Sequence, residues 1–165
     1  MSAEKKKQKK VLGVVVGLVV VLLGGMLFVG AVSGWFDNSK IVLDEEYYCK
    51  DECDNQLMEL TVQEYEQLVD SHKSFLILID QGGCKTAEQL RGFMEDYARE
   101  KGIKVYRMMF EEMKNTPLHN NIKYYPSVAI ISRGHLMQFL RADVDEDADK
   151  YNDYEVFSEW LEHIL

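Results

Sequence analysis

The hydrophobic pattern divides the chain sharply at residue 33. Residues 11–33 (VLGVVVGLVVVLLGGMLFVGAVS) form an uninterrupted stretch of 23 residues without a charge. It has neither a helical nor an alternating period, as expected where lipid solvates every face. At about 1.5 Å per residue it extends roughly 34 Å, enough to cross a hydrocarbon core of about 30 Å. The pattern predicts one transmembrane helix. Residues 34–55 then lack hydrophobic periodicity and are rich in Asp, Asn, Ser and Gly, which predicts a tether and N-terminal arm.

Beyond the arm, strand and helix patterns alternate. Residues 56–60 form a short apolar run, and Thr61-Val62-Gln63-Glu64 has the form of a capping box opening a helix through Tyr65, Leu68 and Val69. Residues 74–80 (SFLILID) are continuously apolar until their end, the mark of a strand buried on both faces. After Gly82-Gly83, a helix is expected from about Cys84. Ala87, Leu90, Phe93, Met94, Tyr97 and Ala98 mark its apolar face, and Gly102 stops it. Residues 103–110 read as a third strand, and 111–121 as a short irregular helix or loop. Residues 127–132 and 136–142 read as a hairpin around Arg133-Gly134-His135. Val156, Trp160, Leu161 and Ile164 predict a closing helix. The order βαβαβαββα is an α/β domain over residues 56–165.

Charge gives the chain a direction. Five lysines (Lys5, Lys6, Lys7, Lys9, Lys10) precede the apolar run, whereas Asp37, Asp44, Glu45 and Glu46 follow it. The positive-inside rule places residues 1–10 in the cytoplasm, as a basic tail, and the folded domain outside. Residues 11–33 thus read as a signal anchor of a single-pass cell-membrane protein. Ala31-Val32-Ser33 before Gly34 also has the small-residue form of a cleavage site, so a removed signal peptide is the alternative. Setting aside residues 1–33, with five lysines and one glutamate, leaves 14 basic and 27 acidic side chains, a net charge of −13. So acidic a domain repels phosphate backbones, which argues against a nucleic-acid partner and against flat docking on anionic lipid.

Three cysteines carry the candidate chemistry. An extracytoplasmic setting is oxidising, so one disulfide and one free thiol are expected. Cys49 and Cys53 would share a face if their segment were helical, with Cα atoms about 6 Å apart, within reach of a local disulfide. A bond from the arm to Cys84 is one alternative, and a redox pair acting in series with Cys84 is another. Cys84 itself stands where a helix begins, and the macrodipole and unpaired N–H groups there favour a thiolate. His72, His119, His135 and His163 show no metal-ligand spacing, and no metal or cofactor is expected. Residues 143–149 (DVDEDAD) place acids like a calcium loop. Ala148, however, replaces its glycine and Tyr154 its bidentate glutamate, so a solvated acidic loop is expected.

With Cys84 opening the second helix and Pro126 preceding the fourth strand, residues 56–165 resemble the thioredoxin-like fold. Gly92 stands where that family usually has a helix-kinking proline. The resemblance implies that Pro126 is cis. It further implies that Gly83 and Lys85, flanking the cysteine, contact an extended peptide together with Tyr125 and Pro126. It implies thiol–disulfide exchange with extracytoplasmic protein or peptide thiols and disulfides. The motif departs from the family in three places. Ala87 replaces the second cysteine, so the motif is Cys-x-x-Ala; Gly83 replaces the tryptophan; Leu78 occupies the position of the buried acid. Two functions remain open: monothiol exchange through Cys84, or a redox-inactive module that captures a peptide or partner protein beside the Pro126 loop.

Overall fold

In the computed structural model, residues 40–49 and 57–165 are described. The expected span over residues 11–33 and Cys53 lie outside them. Among the described residues no helix is long and apolar enough to cross a membrane.

Five strands form one sheet in the order β1-β3-β2-β4-β5. They are β1 (Leu57–Glu59), β2 (Phe75–Asp80), β3 (Val105–Met109), β4 (Ser127–Ser132) and β5 (His135–Phe139). β1 and β2 run parallel to β3, while β4 is antiparallel to β2 and β5 to β4. The all-apolar run of β2 is explained by its central place: every one of its six residues is buried, including the terminal Asp80.

The helices are α1 (Val62–Asp70), α2 (Lys85–Lys101), α3 (Phe110–Met113), α4 (Asp145–Asn152) and α5 (Tyr154–Ile164). The capping box forms as the sequence predicts: the Glu64 amide donates to Thr61 Oγ1, and the Thr61 amide to the Glu64 carboxylate. Gly102 ends α2 in the left-handed conformation, φ 61°. α2 packs on β2 and against α4 and α5. Its buried Ala87, Leu90, Met94, Tyr97 and Ala98 reproduce the predicted stripe.

Several boundaries differ from the sequence expectation. Phe110 opens α3 instead of ending β3. β5 ends at Phe139, before the expected 142. The acidic stretch expected as a loop instead forms α4. Asp145, Glu146 and Asp147 occupy its first turn, where carboxylates complement the helix dipole, and buried Tyr151 anchors it to the core. Asp153 then caps α5, its Oδ1 accepting from the Glu155 amide at 2.8 Å. The hairpin turn is tighter than the three residues expected: Arg133 and Gly134 both have positive φ, and His135 already belongs to β5.

Residues 40–49 do more than connect. Leu43 and Tyr47 are buried, and Tyr47 packs edge-on against Tyr106 with Phe75 beside them. The arm is bonded through the Asp44 amide to the Ser74 carbonyl, the Cys49 amide to Gly102 and the Lys104 amide to the Tyr47 carbonyl. All three contacts lie near the N-terminal ends of β2 and β3.

Candidate functional site

The opposite pole of the sheet gathers the candidate residues. Ile79 pairs with Ser127, and Asp80 with Met109. The chain leaving β2 toward Cys84, the end of β3 and the Pro126 loop entering β4 therefore share one end of the molecule. Cys84 is the N-cap of α2, with extended φ −107° and ψ 122°, and its side chain makes no capping bond. It is a free thiol, partly exposed, whereas Cys49 is disulfide-bonded. Capping of Cys84 by the arm is thereby excluded. Gly83 precedes it at φ 71°, a left-handed conformation that favours glycine. Lys85 points into solvent, and Ala87 is fully buried one turn below Cys84.

The Tyr125–Pro126 peptide is cis, and Pro126 is buried. The Tyr151 hydroxyl donates to the Pro126 carbonyl at 2.9 Å, and Ser127 Oγ donates to the Leu140 carbonyl at 2.7 Å. The half-buried Tyr125 ring lies 5.2 Å from Phe110, and burial pushes its hydroxyl above the usual tyrosine range. Neighbouring Tyr124 is 57% exposed. Beyond it a concave surface of about 360 Å³ is lined by Lys123, Tyr124, Phe139 and Arg141. Asn121 and Asp143 line the same surface, and Asp143 pairs with Arg141 at 3.4 Å.

One charged residue at this pole escaped the sequence reading. Leu78, set against an acid by the resemblance, is buried, and Asp80, two residues later on the same face of the strand, is buried too. Its Oδ2 accepts from Arg107 Nε at 2.7 Å, while Arg91 Nε of α2 lies 3.2 Å from the same oxygen. That Arg91 nitrogen is buried without a hydrogen bond, so charge attraction alone holds it there. Arg107 also reaches Glu59 at 2.7 Å. The only sequence signal for this cluster was an acid closing an otherwise apolar strand.

The remaining candidates do not converge on the site. Among the described residues no group of three His, Cys, Asp or Glu could hold a metal. Asp147 of the would-be calcium loop is occupied, accepting from the Arg141 amide and pairing with Lys150. His119 is partly buried in the 3-10 turn Pro117–Asn120, and His72 and His135 flank the hairpin region.

The strand order, the cysteine at the head of α2 and the cis-proline beside it define a thioredoxin-like fold. Among solved structures, a mutant thioredoxin from Halobacterium salinarum superposes with a TM-score of 0.51, at 11% identity over 66% of this chain and 90% of that one. Trxlp from Edwardsiella tarda gives 0.49 at 9% identity, over 64% and 97%. Neither a protein-family model nor a curated protein sequence matches the chain.

Proposed function

We propose that this protein is a membrane-tethered, extracytoplasmic thioredoxin-like protein that performs monothiol thiol–disulfide exchange through Cys84. The observation that carries this reading is the free, partly exposed thiol at the head of α2, on the same pole as a cis-proline loop. The Cys84 thiolate would attack one sulfur of a target disulfide. A mixed disulfide forms as the target S–S bond breaks, and the second target sulfur leaves as a thiolate. Buried Ala87 supplies no resolving thiol, so release falls to a different thiol of the target or to an external one. The first outcome isomerises a disulfide without net oxidation. Gly83, Lys85, Tyr125 and Pro126 would flank the bound peptide.

The anchor over residues 11–33 supports an extracytoplasmic site in the cell envelope. The described arm begins at Lys40, whose neighbour Ile41 bonds the Ile164 carbonyl.

The test is trapping in intact cells. Acid quenching and alkylation, followed by non-reducing electrophoresis, should reveal adducts that collapse on reduction and vanish in Cys84→Ser. Equal adducts in that variant, or none in the native protein, reject the exchange reading. The exposed Tyr124 beside the concave surface favours a second reading, a redox-inactive adaptor for a peptide or partner protein. There, Cys84→Ser would retain partner capture and cellular activity, and Tyr124→Ala would lose both.

A further inference from the structure

We propose that Asp80, clamped between Arg107 and Arg91, is a positioning residue that fixes the loop presenting Cys84. The proposal takes Cys84 as the reacting group, as in the exchange reading.

Gln81-Gly82-Gly83 joins β2 to α2, and two adjacent glycines leave its backbone with little intrinsic preference. Something else must hold Gly83 at φ 71° and Cys84 at the head of the helix. Asp80 supplies three ties from one buried carboxylate. Its Oδ1 accepts from the Gln81 amide, the first N–H of the loop, at 2.7 Å. Its Oδ2 accepts from Arg107 Nε on β3 and faces Arg91 Nε on α2. The strand before the loop, the helix after it and the neighbouring strand are therefore pinned at one point.

A second contact runs the same way. The outer Arg107 nitrogen lies 3.6 Å from Met109 Sδ, and the Met109 methyl lies 3.9 Å from where a Cβ on Gly82 would sit. Arg107 thus steadies both the carboxylate that holds Gln81 and the side chain beside Gly82. Such a clamp does not touch the thiol. It narrows the range of loop conformations, so the Cys84 sulfur is presented in one direction to an incoming electrophile.

Arg91 is the informative position, because its side chain is 30% exposed and its loss should leave the fold intact. The measurement is the second-order rate of Cys84 carbamidomethylation by iodoacetamide, located by peptide mass spectrometry, on the full chain. Arg91→Met should slow alkylation about threefold to tenfold, with thermal unfolding close to the native protein's. Arg91→Lys should restore the rate to within about twofold, because the cation beside Asp80 is restored. The Gln81 amide resonance should move in Arg91→Met and return in Arg91→Lys. If Arg91→Met folds and alkylates at the native rate with an unmoved Gln81 resonance, the proposal is overturned. Asp80→Asn is the second variant: its amide oxygen can still accept from Gln81 but cannot bind two guanidinium groups. A folded Asp80→Asn protein with the native rate overturns the proposal equally. Iodoacetamide needs no target disulfide, so absent mixed disulfides with a clamp-dependent alkylation rate would defeat the exchange reading alone.

Discussion

The Tyr151 hydroxyl joins α4 to the proline loop, donating to the Pro126 carbonyl at 2.9 Å and lying 3.4 Å from the Leu140 carbonyl. Tyr151 is only 6% exposed. Burial first, and then the charges of Asp147 and Asp143, push this hydroxyl well above the usual tyrosine range, so it stays a donor at ordinary pH. The acidic helix therefore has a structural task at the candidate site.

Tyr151→Phe removes the donor and keeps the ring. It should cost about 1–2 kcal/mol of stability, the penalty for leaving a buried carbonyl without its partner. Tyr151→Ala should cost more, about 3–5 kcal/mol, because a large buried side chain is lost as well. Urea unfolding of the two variants separates these contributions.

Asp80→Asn should destabilise the fold by roughly 3 kcal/mol, since two guanidinium groups lose a buried counter-charge. The arginines are partly exposed, 24% for Arg107 and 30% for Arg91, so water takes up some of the loss. A double-mutant cycle between Asp80→Asn and Arg107→Met should return a coupling of about 1–3 kcal/mol. A coupling near zero would count against the clamp.

Glu64 gives a pH prediction with a definite sign. The Thr61 amide and then the Thr61 hydroxyl hold its carboxyl below the usual carboxylate range. A depressed folded value means stability that is present above the unfolded value and lost as pH falls through the folded one. Glu64→Ala should cost about 0.5–1 kcal/mol at neutral pH, the small figure reflecting full exposure to solvent. The gap between native and variant stability should close as pH falls below about 4.

Two glycines predict opposite effects of one methyl group. Gly134 has φ 78°, and an added Cβ would run into the Val69 carbonyl oxygen, so Gly134→Ala should destabilise by more than about 1 kcal/mol. Gly92 lies inside α2 with open space around it. Gly92→Ala should stabilise by about 0.5–1 kcal/mol. Thermal unfolding of both variants checks the contrast.

Much of this architecture was legible in the sequence because it rests on local rules. The capping box, the β2 run, the α2 stripe and its glycine stop are read from residues that lie within a few positions of one another. They set the order of the strands and of the first two helices, and placed Cys84 at a helix head. Even there, ends moved: Phe110 is as apolar as a strand residue, yet it opens α3, and its ring packs against Tyr125 of the proline loop.

The long-range relationships could not be read this way. Residues 143–149 look like a solvated loop until Tyr151, just beyond them, is seen to bury itself against Pro126 and Leu140. Asp80 looks like a strand terminus until β3 and α2 bring Arg107 and Arg91 to it, 27 and 11 residues along the chain. The sequence by itself determined the five strands, the capped first helix, the apolar stripe of α2 and the place of Cys84 at its head. Only the tertiary structure decided which charges meet and which backbone carbonyls they or a hydroxyl satisfy. Burial raises the cost of an unpaired polar group, and the partner that removes that cost is chosen by packing between distant segments.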